Sequence, residues 1–207
     1  MPVLRALLAS LLILAAGIAV LARATDGFRA FTSETARRID VRKHPRALPD
    51  VVLQTAEGRR VGLGSLRGRW VLIDFIYTRC TTYCSVQGGV FARLQAELAA
   101  PIAAGDVALL SISFDPEHDD PAHLADYLRR FGDRGAGWTA ARPASTAGLE
   151  SLLRTFGVTA VPDGLGGFAH NAAIAVVDPR GRLVDIVDWS EPRAAARYVT
   201  ATHRDSP

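Results

Sequence analysis

Apolar residues fall along the chain in short buried-looking runs and helical stripes, and their order outlines an architecture. Residues 4–22 are apolar but for Arg5 and Ser10. At about 1.5 Å per residue that run is long enough to cross the hydrocarbon core of a bilayer. Residues 24–47 are polar, carry Arg29, Arg37, Arg38, Arg42 and Lys43, and show only a short helical pattern near 32–39. From Leu48 the pattern tightens. Residues 51–54 and 60–63 flank a turn at Gly58 and predict a hairpin. A turn over 64–68 leads into the near-continuous apolar run 70–77, the pattern of a strand buried on both faces. Val86, Val90, Phe91, Leu94 and Leu98 form a helical stripe over about 81–100, which Pro101 is expected to stop. A second buried strand spans 106–114. Asp119-Asp120-Pro121 supplies acidic caps and a first-turn proline for the next helix, whose stripe is Leu124, Tyr127, Leu128 and Phe131, ending at Gly132. Residues 145–156 are amphipathic through Leu149, Leu152, Leu153 and Phe156, and 157–169 read as a long Gly- and Pro-rich loop. After His170, a strand over 171–177 turns at Asp178-Pro179-Arg180-Gly181 into a strand over 183–187. A closing helix at 191–202 begins at Ser190 and Pro192.

Parallel crossovers in the middle and a hairpin at the end predict an α/β fold, a thioredoxin-like three-layer sandwich with an N-terminal hairpin extension and an N-terminal transmembrane helix. The expected organisation is an anchor or signal peptide over 1–23, a tether over 24–47 and the folded domain over 48–203. Ala22-Arg23-Ala24 has the small-x-small form of a cleavage site. The apolar run, however, exceeds the usual signal core of about 7–15 residues, which favours an uncleaved anchor over a cleaved signal. In either case the domain is exported, so the expected location is the bacterial inner membrane with the domain in the periplasm, or the soluble periplasm if the segment is removed.

Composition changes this picture little. With 207 residues and 49% of them hydrophobic, the chain can build a full core. The formal charge of +3 comes from scattered arginines, with Lys43 the only lysine. No dense basic run interleaves with aromatics, so a nucleic-acid partner is not expected.

The candidate chemistry centres on Cys80 and Cys84, the only cysteines, placed where a strand hands over to a helix. Four residues apart on a first helical turn they share a face, with Cα atoms roughly 6 Å apart, inside the window of about 4.4–6.8 Å for a disulfide. The same spacing lets two thiolates grip one soft metal ion. The helix N-terminus favours thiolate over thiol, and a disulfide closing so short a loop would add little stability. The pair is therefore a reactive pair or a metal pair. In a sheet of this kind His170 lies beside the first turn of the cysteine helix, and the glycines at 164–167 let the loop bring its imidazole inward. Two thiolates and an imidazole suit copper(I), and copper(II) with an added water. Met1 is the only methionine, so no thioether competes. His44, His118, His123 and His203 read as surface histidines without convergent partners.

These stretches resemble the Sco/SenC family, the copper-binding proteins that assist assembly of the CuA centre of cytochrome c oxidase. Phe75 to Cys84 is similar to the family's Cys-x-x-x-Cys segment, and Ser113 to Pro121 to its Asp-Pro-x-x-Asp-x-Pro segment. His170-Asn171-Ala172-Ala173-Ile174 is similar to its His-Ser segment, followed by Val177-Asp178-Pro179-Arg180-Gly181. The resemblance spans about 48–200. It implies copper, as Cu(I) or Cu(II), held by Cys80, Cys84 and His170, with Asp115 as an auxiliary outer-shell residue. It further implies a metallochaperone rather than an enzyme, with an oxidase copper-site subunit or another cuproprotein as partner, and a thiol reductant to reset the pair. The alternative is a thiol–disulfide reductase that cycles a Cys80–Cys84 disulfide to keep a partner's cysteines reduced. Thr81 and Ser85 stand where the family usually has proline, which leaves extra N–H donors beside the sulfurs and shifts thiolate pKa and potential.

Overall fold

The computed structural model describes residues 2–79, 83–132, 135, 137–164 and 166–204, without the side chains of 83–87 and 201–204. The chain divides into two compact units at Lys43/His44. In the first, helix α1 (Pro2–Ala24) is long and apolar enough to cross a membrane, and no residue of it is buried. A turn leads to α2 (Ser33–Lys43), whose first-turn Glu34 binds Arg37 and Arg38 at 2.6 and 3.0 Å.

In the second unit the strands are β1 (Arg46–Ala47), β2 (Val52–Thr55), β3 (Arg60–Gly62), β4 (Trp70–Ile76), β5 (Val107–Ser113), β6 (Trp138–Pro143), β7 (Ala160–Pro162), β8 (Phe168–His170), β9 (Ile174–Val177) and β10 (Arg182–Val187). Eight of those described form one sheet in the order β1-β10-β9-β4-β5-β6-β2-β3, while β7 and β8 form a separate ribbon. The β4–β5 and β5–β6 pairs are parallel and the others antiparallel. β4 is therefore central, and Val71, Leu72, Ile73 and Ile76 are wholly buried. Successive side chains alternate between the sheet's faces. Leu72 and Ile76 join a core with Val90, Phe91 and Leu94 of α3 (Tyr83–Glu97), with Leu124, Tyr127 and Leu128 of α5 (Pro121–Arg130), and with Ala195 and Val199 of α7 (Pro192–Arg204). On the other face Phe75 meets Phe156 of α6 (Thr146–Phe156), ring centroids 5.1 Å apart. Helices thus cover both faces, the three layers expected.

The caps act locally. Asp120 accepts from the His123 amide at 2.9 Å with Pro121 in the first turn of α5, and Ser145 accepts from the Gly148 amide at 3.1 Å at the start of α6. Four expectations need correction. Pro101 does not stop a helix: α3 ends at Glu97, and Pro101 lies in the first turn of the short α4 (Ala99–Ala103), where no intrahelical N–H is required. β6 was not expected, because Arg142 and Pro143 interrupt its apolar pattern; it joins the β2–β3 hairpin to the sheet. Residues 157–169 are not all loop, since they contain β7 and most of β8. His170 closes β8, opposite Ala160, rather than opening the following strand, which begins at Ile174.

Candidate metal centre

The site is built where β4, β5 and the β7–β8 ribbon end together. Beyond Ile76 the chain runs through Tyr77, Thr78 and Arg79 to Cys80. Cys80 lies outside the described residues, as do Thr81 and the side chains of Cys84 and Ser85; the backbone places Cys84 in the first turn of α3. The expected sulfur–sulfur pairing and its contact with His170 therefore fall outside what the structure describes.

The surroundings are described. The His170 ring packs on Phe114, 5.1 Å between centroids, and on Tyr77, 6.1 Å. Phe168 packs edge-on against both aromatics, at 5.3 Å from Tyr77 and 5.4 Å from Phe114. This aromatic setting leaves the imidazole half-buried, and desolvation lowers its pKa below the usual histidine value. A neutral imidazole is the form that binds a metal, so the environment fits a ligand histidine. The Tyr77 hydroxyl accepts from the Phe168 amide at 3.3 Å and donates to the Phe168 carbonyl at 3.4 Å, linking the ribbon to the β4 exit. At the ribbon's base Asn171 accepts from the Thr159 amide at 2.8 Å and donates to the Gly157 carbonyl at 3.0 Å. At its tip Gly167 packs closely, since a Cβ there would come within 2.7 Å of an Asp163 side-chain oxygen, which would have to swing aside, and 3.1 Å of the Tyr77 hydroxyl.

Two aspartates of the turn after β5 hold the lead-in to Cys80. Asp115 takes the Arg79 guanidinium on Oδ2 at 2.6 and 3.2 Å and His118 Nδ1 on Oδ1 at 2.9 Å. His118 is thus held within this turn but, among the described residues, joins no cluster of three potential metal ligands. Asp119, read from the sequence as a helix cap, instead turns inward, leaving the cap to Asp120. It accepts from the Thr78 amide at 3.0 Å, the Thr78 hydroxyl at 2.6 Å and the Ser113 hydroxyl at 2.6 Å. Arg142 braces this turn from β6, donating to the Pro116 carbonyl at 2.6 Å and to Gln54 at 2.9 and 3.0 Å.

Sequence reasoning also passed over Asp74. It lies inside β4, fully buried, and neither oxygen has a hydrogen-bond partner among the described residues. Burial, only partly offset by the nearby Ser111 hydroxyl, pushes its pKa up to about 8. Ser111 itself accepts from Trp138 Nε1 at 3.0 Å. The only signal available was an acidic residue inside an otherwise apolar strand.

A three-layer sandwich, with a desolvated histidine on the ribbon that packs against the exit of β4, defines a thioredoxin-like protein. The SCO1/SenC family model matches residues 40–203, and the chain belongs to that family. It is 30% identical over 133 residues to the SCO1 protein homolog of Bacillus subtilis, covering 63% of this chain and 68% of that protein. Among solved structures it is similar to Bradyrhizobium japonicum ScoI with copper bound, at 28% identity and a TM-score of 0.64 over 75% of this chain and 98% of the other. It is likewise similar to BsSco, described as a Sco-family cytochrome c oxidase assembly protein with a disulfide switch, at 26% identity and a TM-score of 0.66 over 76% and 94% of the two chains.

Proposed function

We propose that this protein is a copper carrier of the Sco type, which binds copper as cargo through Cys80, Cys84 and His170 and delivers it to the CuA subunit of a cytochrome c oxidase or to another cuproprotein. The observation that carries this reading is the desolvated, aromatic-packed imidazole of His170, held through Tyr77 to the strand that leads into the cysteine pair. Disulfide exchange alone has no use for an imidazole there. Two thiolates and a neutral nitrogen match the softness of copper(I) and allow copper(II). Asp115 acts as an auxiliary residue that orients Arg79 beside the cysteines, since both of its oxygens are engaged. Residues 1–23 anchor the protein in the inner membrane, the stretch from residue 24 to Lys43 acts as tether, because Arg46–Ala47 already pairs with β10 in the sheet, and the domain works in the periplasm.

A second reading, thiol–disulfide reductase, is favoured by the disulfide switch named for BsSco. The two are coupled by electron balance. Forming the Cys80–Cys84 disulfide releases two electrons and two protons to an oxidised partner and removes both metal thiolates, so bound copper protects the pair and oxidation expels the metal. Copper(I) titration of the reduced full chain in detergent tests the carrier: one copper per chain is expected, Cys80→Ser abolishes tight binding, and His170→Ala weakens copper(II) more than copper(I). Full affinity in Cys80→Ser overturns the assignment. Mixing the reduced, metal-free chain with an oxidised peptide bearing the oxidase's copper-site cysteines separates the two readings, because rapid thiol transfer without copper belongs to the reductase alone.

A further inference from the structure

We propose that Asp119 is a positioning residue for the cysteine segment: its buried carboxylate gathers the Thr78 amide, the Thr78 hydroxyl and the Ser113 hydroxyl, and so sets the direction in which the chain leaves β4 towards Cys80. The inference rests on the copper-carrier reading for its functional consequence but on geometry for its substance. Asp119 is wholly buried, and its described side-chain bonds come from neutral donors, at 3.0, 2.6 and 2.6 Å. A buried carboxylate is costly unless such bonds satisfy it, so its place here is specific. It is not needed to start α5, because Asp120 caps that helix. Thr78 has left the strand ladder, and its amide finds in Asp119 the acceptor a buried N–H requires.

The neighbouring residue is held by the same turn. Arg79 is bound by Asp115, whose carbonyl accepts from the Asp119 amide at 2.9 Å and whose amide donates to the Ser113 hydroxyl at 3.0 Å. The last two residues before Cys80 are thus fixed by one self-bonded loop, Ser113 to Asp119. Preorganising a ligand in this way lowers the ordering cost of binding. Copper(I), satisfied by two thiolates, tolerates a loosened lead-in better than copper(II), which also needs His170.

The test uses the full chain in detergent, reduced and metal-free, with copper(II) chloride as the probe. Wild type, Thr78→Val, Thr78→Ser and Asp119→Asn are compared for the copper(II) dissociation constant, the thiolate-to-copper charge-transfer band, and, without metal, the rate of Cys80 alkylation by iodoacetamide read by mass spectrometry. Thr78→Val removes one donor while keeping the shape of the side chain, and Thr78→Ser restores it. The expected result for Thr78→Val is copper(II) binding weakened by about tenfold, a shifted band and an alkylation rate changed several-fold, with Thr78→Ser close to wild type and Asp119→Asn at least as impaired as Thr78→Val. The proposal is overturned if Thr78→Val keeps the wild-type affinity, band and alkylation rate, or if Thr78→Ser is as impaired as Thr78→Val. Should Asp119→Asn fail to fold, the Thr78 pair decides alone. Should wild type take up no copper, the carrier reading falls, and the alkylation rates still decide whether Asp119 positions Cys80.

Discussion

Replacing Asp74 by Asn turns a fully buried carboxyl into a group of the same shape that cannot ionise. In the folded protein the carboxyl holds its proton up to about pH 8, whereas the ordinary aspartate value is 3.8. Between those values the folded state binds a proton that the unfolded chain has released. The contribution to stability is therefore complete below the unfolded value and declines as pH rises, until it is lost above the folded value. One pH unit in this window is worth about 1.4 kcal/mol, so wild type should lose about 3 kcal/mol between pH 5 and pH 7.5 that Asp74→Asn does not lose. The unsatisfied amide of the variant costs the same at both pH values and cancels in the comparison, as do His170 and every other shared titration. Urea unfolding of the full chain in detergent, followed by far-UV circular dichroism at both pH values, reads the difference directly. The variant should gain on wild type as pH rises. A stability difference constant to within about 0.5 kcal/mol across that range would refute the idea that Asp74 is held protonated by burial.

Three further outcomes are expected. Gly167→Ala pushes a methyl against the Asp163 carboxylate and the Tyr77 hydroxyl at the tip of the β7–β8 ribbon; because the exposed Asp163 side chain can swing aside, the cost in urea unfolding should be about 1 kcal/mol or less, with copper(II) binding weakened, since the same ribbon carries His170. Phe156→Ala empties the space against Phe75 on the α6 face and should cost about 3–5 kcal/mol, with copper binding unchanged once the protein is folded. The full-length chain should remain with membranes through an alkaline carbonate wash, and recovery of a soluble mature chain beginning at Thr25 would show cleavage instead.

Much of the fold is written in short-range pattern. Trp70–Ile76 and Val107–Ser113 announce themselves because a strand buried on both faces must be apolar at nearly every position. The starts of α5 and α6 are legible because a cap bonds an amide three residues ahead. The Cys80 and Cys84 spacing and the identity of His170 are likewise plain in the chain, and the reading of them as one centre still rests there. What remained hidden depends on partners far away in sequence. β6 owes its place to β5 and β2 on either side, a pairing that Arg142 and Pro143 conceal locally. Asp119 and Asp120 are chemically equal neighbours; the donors of Thr78, 41 residues earlier, and of Ser113 decide which one caps the helix and which turns inward. His170 acquires its lowered basicity from Phe114 and Tyr77, and Asp74 its raised pKa from the burial of a strand whose apolar pattern masked it. The chain by itself determined which chemical groups the site has and the strand-to-helix junction that carries its cysteines. The desolvation of His170, the raised pKa of Asp74 and the restraint of Thr78 and Arg79 were decided by tertiary packing, because desolvation and buried hydrogen bonds exist only once distant segments close over them.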